Sequence, residues 1–134
     1  MTAEMEKRLL QAAVAIASMV PLSMGLTSVI DGPSIIRGID PPVPVDLDSH
    51  FRYLSGLLLG IGLAFLSCIP AIERKRTLFR ALSLIVVAGG LSRLVSLLGA
   101  GTPSSGHLFG LAMELIVVPS IMLWQARVAR RFDA

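Results

Sequence analysis

The sequence predicts an all-α membrane protein, a bundle of four transmembrane helices with both termini in the cytoplasm. Three observations predict this fold. Hydrophobic residues form 54% of the 134 positions and charged residues only 16%, whereas a soluble domain carries about 25% charged residues. The apolar residues fall into four long runs, and most lysines and arginines flank the same ends of these runs. The composition argues against a soluble globular protein and against a disordered chain.

The first run extends from Leu9 to Ile30 and contains no charged residue. At about 1.5 Å per residue, such a helix crosses a hydrocarbon core of about 30 Å. A cleaved signal peptide is the competing interpretation, because Lys7 and Arg8 precede the run. The run is long for a signal peptide, and no cleavage site followed by a polar domain is visible, so we expect a retained helix.

The other three spans are predicted at about residues 51–69, 78–98 and 108–124, within one membrane domain that covers residues 1–134. We expect Asp48 and Ser49 to cap the second helix, and Ser104 and Ser105 to cap the fourth. Strands are not expected, because no ten-residue alternating pattern repeats.

The distribution of basic residues predicts the topology. Residues 31–49 form a long connection rich in proline and aspartate, which is predicted to lie outside. The predicted cytoplasmic segments carry nine basic residues: Lys7, Arg8, Arg74, Lys75, Arg76, Arg80, Arg127, Arg130 and Arg131. Three others remain: Arg37, Arg52 and Arg93. Under the positive-inside rule, this bias places both termini in the cytoplasm. It also accounts for the net positive charge without a nucleic-acid partner.

A polar cluster is predicted in the outer half of the bundle. Arg93 in the third span and Glu114 in the fourth lie at about the same depth, roughly 8–10 Å below the outer surface. Buried charges in a membrane usually face the bundle interior and pair, so we expect an Arg93–Glu114 ion pair. Arg52 is predicted to point into the same pocket. The remaining predicted ligand-binding residues surround its rim: His50, Tyr53 and His107.

This cluster has two interpretations that the sequence leaves open. The ion pair could serve only to hold two helices together. Alternatively, two arginines beside one glutamate provide surplus positive charge, which would suit an anionic or carbonyl-bearing amphiphile, such as a lipid headgroup or a quinone-like molecule.

Small residues predict where helices approach one another closely. Gly56, Gly60 and Ala64 recur every four residues on the second span, and Gly89 lies on the predicted Arg93 face of the third. Packing within the bundle is the simpler interpretation, and dimerisation through Gly56 and Gly60 is the alternative.

No catalytic residue, metal site or cofactor is predicted. Asp48, His50, His107 and Glu114 could ligate a metal, but no His-x-x-x-His spacing occurs and two arginines would repel a cation. Cys68 is expected to be a small apolar filler, and no phosphate loop or nucleophile elbow is present.

Several segments together resemble a known family. They are Asp48-Ser-His-Phe-Arg-Tyr-Leu-Ser-Gly, Gly89-Gly-Leu-Ser-Arg93, Met113-Glu-Leu with Pro119, and Trp124-Gln-Ala-Arg-Val-Ala-Arg. The chain resembles a bacterial family of small four-helix membrane proteins, catalogued as domain of unknown function four-three-four-five. More loosely, its architecture looks like that of DoxX-type proteins. The resemblance implies four helices in a bacterial membrane and no established activity, so no catalytic residue is carried over.

We therefore predict a non-enzymatic inner-membrane protein. It would act as an accessory subunit of a larger membrane complex, or bind an amphiphilic, lipid-like ligand in the outer polar pocket. Its expected partners are membrane lipids and other membrane subunits, and oligomerisation stays open. The alternative is a small transporter or membrane enzyme that uses Glu114 to handle protons.

Overall fold

The computed structural model describes residues 1–133, so Ala134, the last residue of the predicted domain, lies outside the described part. The regular structure consists of five α-helices with short helical turns between them. The α-helices are α1 (Ala3–Asp31), α2 (Val45–Cys68), α3 (Arg76–Ala100), α4 (Ser105–Ala112) and α5 (Val118–Asp133). A π-helical turn at Met113–Val117 joins α4 to α5, and 3₁₀ turns occupy Gly32–Ile35 and Ile69–Ala71.

Four segments are long and apolar enough to cross a membrane. They comprise α1, α2, α3, and the continuous run from α4 through the π-helical turn to α5. The all-α prediction is confirmed, and the four segments indicate a multi-pass membrane protein. The 25 residues of α3 give a helix of about 37 Å, which exceeds a hydrocarbon core of about 30 Å.

The prediction that Asp48 and Ser49 cap the second helix is wrong. The helix begins at Val45, directly after Pro44, and the Asp48 amide already donates a helical hydrogen bond to the Pro44 carbonyl at 3.0 Å. Asp46 and Asp48 therefore occupy the first turn, where carboxylates interact favourably with the helix dipole. Ser104 does take the cap position of α4, but its side chain makes no capping hydrogen bond.

The described residues form two compact units. The first contains Met1–Ala13 and the residues from Cys68 onward. Within it, α3 packs along α4, the π-helical turn and α5. Gly101, with φ of 103°, terminates α3 in a conformation that favours glycine. The largest buried side chains of this unit include Leu10, Ile72 and Phe79.

Two glutamines hold the turn that follows α2 in the first unit. Gln11 Nε2 donates to the Ile69 carbonyl at 2.7 Å, and Gln125 Nε2 donates to the Ile72 carbonyl at 2.7 Å. These carbonyls lie where regular helical hydrogen bonding is interrupted, so they need partners from side chains. The turn is thereby fixed to both α1 and α5.

The second unit, Val14–Ser67, contains the rest of α1 and nearly all of α2. A Cβ added at Gly25 would lie 2.7 Å from the Leu59 backbone nitrogen, and one at Gly62 would lie 3.1 Å from Leu22 Cγ. Only glycine permits such a close approach of the two helices.

Candidate functional site

The Arg93 cluster consists of Arg93, His107 and Glu114, all in the first unit. Arg93 Nε lies 3.0 Å from both carboxylate oxygens of Glu114 and donates a hydrogen bond to Oε1. Arg93 Nη1 lies 2.9 Å from Nδ1 of His107. The structure therefore places the two oppositely charged residues of the polar cluster in contact and adds the imidazole to them.

The guanidinium determines the tautomer of His107. Arginine carries only donors, so Nδ1 of His107 must accept the hydrogen bond. In the neutral imidazole the proton then resides on Nε2, which becomes a donor. Arg93 Nη2 has no hydrogen-bond partner within residues 1–133. The cluster thus retains spare donors on two residues.

Glu114 is largely buried, and one of its carboxylate oxygens accepts no hydrogen bond from the described residues. Its side chain is 17% exposed, and Oε2 is buried without a hydrogen bond from any described residue. The residue sits in the π-helical turn Met113–Val117, just before Pro119. Proline has no N–H and cannot continue the regular ladder, and π-helical turns are frequent at functional sites. Gly90 of α3 packs directly against the Glu114 side chain.

A groove of about 350 Å³ opens beside the cluster. It is lined by Arg93, Ser96, Leu97, Pro103, His107 and Leu111. Arg93 and His107 supply polar groups at this surface, and Leu97, Pro103 and Leu111 supply an apolar wall. A groove of this size accommodates the polar end of a ligand with part of its hydrocarbon.

Arg52 belongs to the second unit, where it has partners of its own. Nε donates to Asp48 Oδ2 at 2.9 Å, and Nη1 donates to the carbonyls of Val29 and Ile30 at the end of α1. The guanidinium thus satisfies carbonyls that a helix end leaves free, and Asp48 balances its charge. Gly32 makes room for it, since a Cβ there would lie 2.6 Å from Arg52 Nη2.

Other residues expected in the pocket have fewer contacts. His50 and Tyr53 are exposed on α2. Their role in ligand binding, and that of Arg52, stays a prediction.

The glycines of the predicted small-residue stripes face unoccupied space in the described part of the chain. A Cβ added at Gly56, Gly60 or Gly89 would have no described atom within 4 Å apart from the adjacent backbone of its own helix, and Ala64 is half-buried. Among the glycines of α3, it is Gly90, one residue beyond the predicted position, that lies close to another segment.

A second buried carboxylate was not anticipated. The Glu6 cluster comprises Glu6, Trp124, Arg127 and Arg131. The Glu6 side chain is 2% exposed and lies 3.2 Å from Arg127 Nε; Arg131 Nη1 and Trp124 Nε1 also donate to it. The spacing of residues 124, 127 and 131 places them on one helix face, which was the available signal.

Lys7 and Glu73 form a neighbouring ion pair. Lys7 Nζ lies 3.1 Å from Glu73 Oε2, and it also lies 5.2 Å from the centre of the Phe132 ring. Burial raises the pKa of Glu73, but a backbone hydrogen bond and the Lys7 ammonium lower it more. The pKa therefore lies below its usual value.

No group of three metal-ligating side chains occurs in the described part of the chain. The Arg93 cluster offers one carboxylate and one imidazole, and its guanidinium disfavours a cation. Its unpartnered polar groups among the described residues are hydrogen-bond donors, Arg93 Nη2 and His107 Nε2.

Residues 9–125 match the family model described as "Domain of unknown function (DUF4345)". The curated proteins and the solved structures contain no match to this chain. The matched range includes the complete Arg93 cluster and Arg52, whereas Glu6, Arg127 and Arg131 lie beyond its ends.

Proposed function

Because the chain belongs to the DUF4345 family, whose description assigns no activity, we propose a function from the geometry of the Arg93 cluster. The protein is a non-enzymatic membrane protein that holds the polar end of an amphiphilic ligand in the groove beside this cluster. The hydrocarbon part of the ligand lies along the apolar wall and continues into the surrounding lipid.

The observation that carries the proposal is the set of spare donors on a fixed guanidinium. Arg93 is anchored through Nε by Glu114 and through Nη1 by His107, while Nη2 stays without a partner in residues 1–133. Its side chain is 39% exposed and lines the groove. A donor that is oriented in advance binds an acceptor without a further loss of conformational freedom.

The charge of the cluster indicates the ligand class. One guanidinium, one carboxylate and a neutral imidazole sum to zero, and Arg52 pairs with Asp48 in the other unit. A strongly anionic headgroup would gain little net attraction here and would approach the Glu114 carboxylate. A carbonyl oxygen accepts hydrogen bonds without bringing a full charge, so a carbonyl-bearing, quinone-like amphiphile fits best.

The test is ligand binding to purified protein in mild detergent. The probe is a 1,4-benzoquinone with a short alkyl tail, and binding is measured as the shift of the thermal unfolding midpoint. The informative variant is the double substitution Arg93→Met and Glu114→Leu, because it removes both charges together. Replacing a buried pair by apolar residues is often neutral for stability, whereas Arg93→Met alone would leave Glu114 unpaired.

We expect the double variant to fold and to bind the quinone at least about tenfold more weakly, the effect of losing one hydrogen bond from a charged donor. Arg37→Gln, which changes an exposed arginine of the second unit, should bind as the wild type does. Equal quinone binding by the double variant, together with unchanged co-purifying small molecules by mass spectrometry, would show that the pair is purely structural.

A role as an accessory subunit is compatible with the same site. Many large apolar side chains are exposed on the helices, among them Ile16, Val95, Leu98 and Leu123, and these face either lipid or another membrane protein. Co-purification in mild detergent tests this role. An accessory subunit should bring down a membrane protein partner in a fixed stoichiometric ratio. The open surface at Gly56 and Gly60 is the proposed contact, so Gly56→Leu should release that partner.

One observation favours the alternative function of proton handling. Glu114 Oε2 accepts no hydrogen bond from the described residues, and the residue lies in a π-helical turn. A transporter would lose a pH-dependent flux in proteoliposomes on Glu114→Gln. Retention of that flux would exclude this alternative.

The proposed orientation places both termini in the cytoplasm of a bacterial inner membrane. It is supported by the nine basic residues near the termini and the second connection, against three elsewhere. Single cysteines at the exposed positions Ser34 and Thr102, in a Cys68→Ala background, should react with an impermeant maleimide from outside the cell. A cysteine at Thr2 should not.

A further inference from the structure

A second groove lies at the beginning of α3, away from the Arg93 cluster. It measures about 310 Å³ and is lined by Arg76, Thr77, Arg80, Ala81 and Leu84. Two arginines one turn apart and a threonine form its polar end, and Ala81 and Leu84 continue it along the helix as an apolar strip. We propose that this basic groove is a binding site for one anionic phospholipid, which the proposed function does not include.

The charges of the groove are incompletely balanced. Arg76 Nη2 lies 2.6 Å from Asp133 Oδ2, in a pair whose two side chains are 44% and 67% exposed. Arg80 has no ion-pair partner among the described residues. One full positive charge therefore remains beside the Thr77 hydroxyl, and a phosphate diester supplies the complementary charge with several acceptor oxygens.

The position along α3 places this charge at headgroup level. The helix is about 7 Å longer than a hydrocarbon core, so roughly one turn in total extends into the interfaces. Arg76 begins the helix and Arg80 follows by about 6 Å, so the pair straddles the boundary between headgroups and hydrocarbon. Leu84, one further turn along and 50% exposed, lies at the depth of the acyl chain.

The start of α3 strengthens the attraction. The first turn of a 25-residue helix exposes backbone N–H groups and the positive end of the helix dipole, and these favour a phosphate. The two arginines and the apolar strip provide the selectivity that a helix end alone lacks. The strip favours a lipid over free phosphate, because inorganic phosphate has no hydrocarbon to place on Ala81 and Leu84.

The experiment titrates purified wild-type protein in neutral detergent at 0.15 M salt with phosphatidylglycerol. Phosphatidylcholine of identical acyl chains and inorganic phosphate are titrated in parallel. Bound lipid is counted by native mass spectrometry, and affinity is taken from the shift of the unfolding midpoint. We expect one phosphatidylglycerol per chain, with at least about tenfold preference over phosphatidylcholine.

Arg80→Gln should weaken phosphatidylglycerol binding about tenfold or more, and Arg80→Lys should show a smaller loss because lysine keeps the charge without the planar fork. The matched control is Arg130→Gln, which removes an exposed arginine that does not line the groove. It should change binding less than about twofold, because its side chain is not part of the groove lining.

Three results would overturn the proposal. Equal losses in Arg80→Gln and Arg130→Gln would indicate diffuse surface charge instead of a site. An equal midpoint shift with inorganic phosphate would assign the groove to free phosphate. If the wild-type protein does not prefer phosphatidylglycerol to phosphatidylcholine, the groove does not bind an anionic lipid. Circular dichroism of each variant verifies that its helices are intact.

Discussion

Replacement of Gly90 by alanine tests how closely α3 approaches the turn that carries Glu114. A Cβ at position 90 would lie 2.8 Å from Glu114 Cβ and 2.8 Å from Leu115 Cδ2. Carbon atoms prefer separations of about 3.5–4.0 Å. The end of Leu115 can rotate away, but Glu114 Cβ is bonded to the backbone, so α3 and the π-helical turn must separate by several tenths of an ångström.

The magnitude follows from two opposing contributions. Overpacking of this kind costs about 1–3 kcal/mol, and the better helix propensity of alanine offsets about 1 kcal/mol. Gly89→Ala is the matched control, because its added Cβ would have no described atom within 4 Å apart from the adjacent backbone of α3. It should be neutral or stabilising by up to about 1 kcal/mol. The difference between the two variants, about 1–3 kcal/mol, isolates the steric contribution.

The assay is thermal or denaturant unfolding of each purified variant in the same mild detergent. Gly90→Ala should unfold before Gly89→Ala, and it should also weaken quinone binding, because displacement of Glu114 disturbs the orientation of Arg93. A Gly90→Ala protein as stable as Gly89→Ala would refute the close approach. Normal quinone binding by a destabilised Gly90→Ala would instead refute the coupling between this contact and the groove.

Three further predictions concern the first unit. Gln125→Leu should destabilise the protein by about 1–3 kcal/mol in unfolding experiments, because the buried Ile72 carbonyl loses its donor. Glu73 contributes stability that is fully present above its unfolded pKa of 4.5 and is lost as the pH falls through its lower folded pKa. Glu73→Gln should therefore flatten the decline of the unfolding midpoint below pH 4.5, and an unchanged decline would contradict this. Glu6→Gln should lower the unfolding midpoint clearly more than Asp133→Asn. The Glu6 side chain is 2% exposed and contacts three donor residues, whereas the Asp133 side chain is 67% exposed and contacts one.

The helices could be predicted from the sequence because lipid leaves few alternatives. A long apolar segment in a membrane must satisfy its own backbone, so the four runs predict four helices. The ends of the helices were harder to predict. Helical hydrogen bonding continues beyond the apolar run until a residue such as Pro44 or Gly101 interrupts it. The π-helical turn was also missed, although Pro119 marked the place where the regular ladder fails.

Depth arguments predicted which charges could meet, but they could not choose among partners. Arg93 and Glu114 share a depth on adjacent segments, and they are in contact. The assignment of Arg52 to the same pocket stays a prediction; within the second unit, Arg52 pairs with Asp48, one helical turn away on the same helix. Residues four apart are neighbours on a helix face, so this pair could be predicted from spacing alone.

Counting basic residues by membrane side concealed the Glu6 cluster. Arg127 and Arg131 contribute to the topology bias, but both also contact one buried carboxylate near the opposite end of the chain. The separation of Glu6 and Arg131 by 125 positions means that no local pattern relates them. Spacing shows which residues share a helix face, whereas the identity of the facing element requires the structure.

The two grooves differ in how their arginines are paired, so binding of the two proposed ligands should depend differently on salt concentration. At Arg93 the guanidinium is balanced by Glu114, so the proposed neutral quinone would bind through short hydrogen bonds that screening leaves nearly unchanged. At Arg80 no described carboxylate balances the charge, so a phosphate is held by an attraction that weakens as the Debye length falls from about 8 Å at 0.15 M to about 3 Å at 1 M salt. Phosphatidylglycerol binding should therefore decrease several-fold over this range while quinone binding stays within about twofold. If both ligands respond to salt alike, the two grooves do not differ in charge in the way that their ion pairs imply.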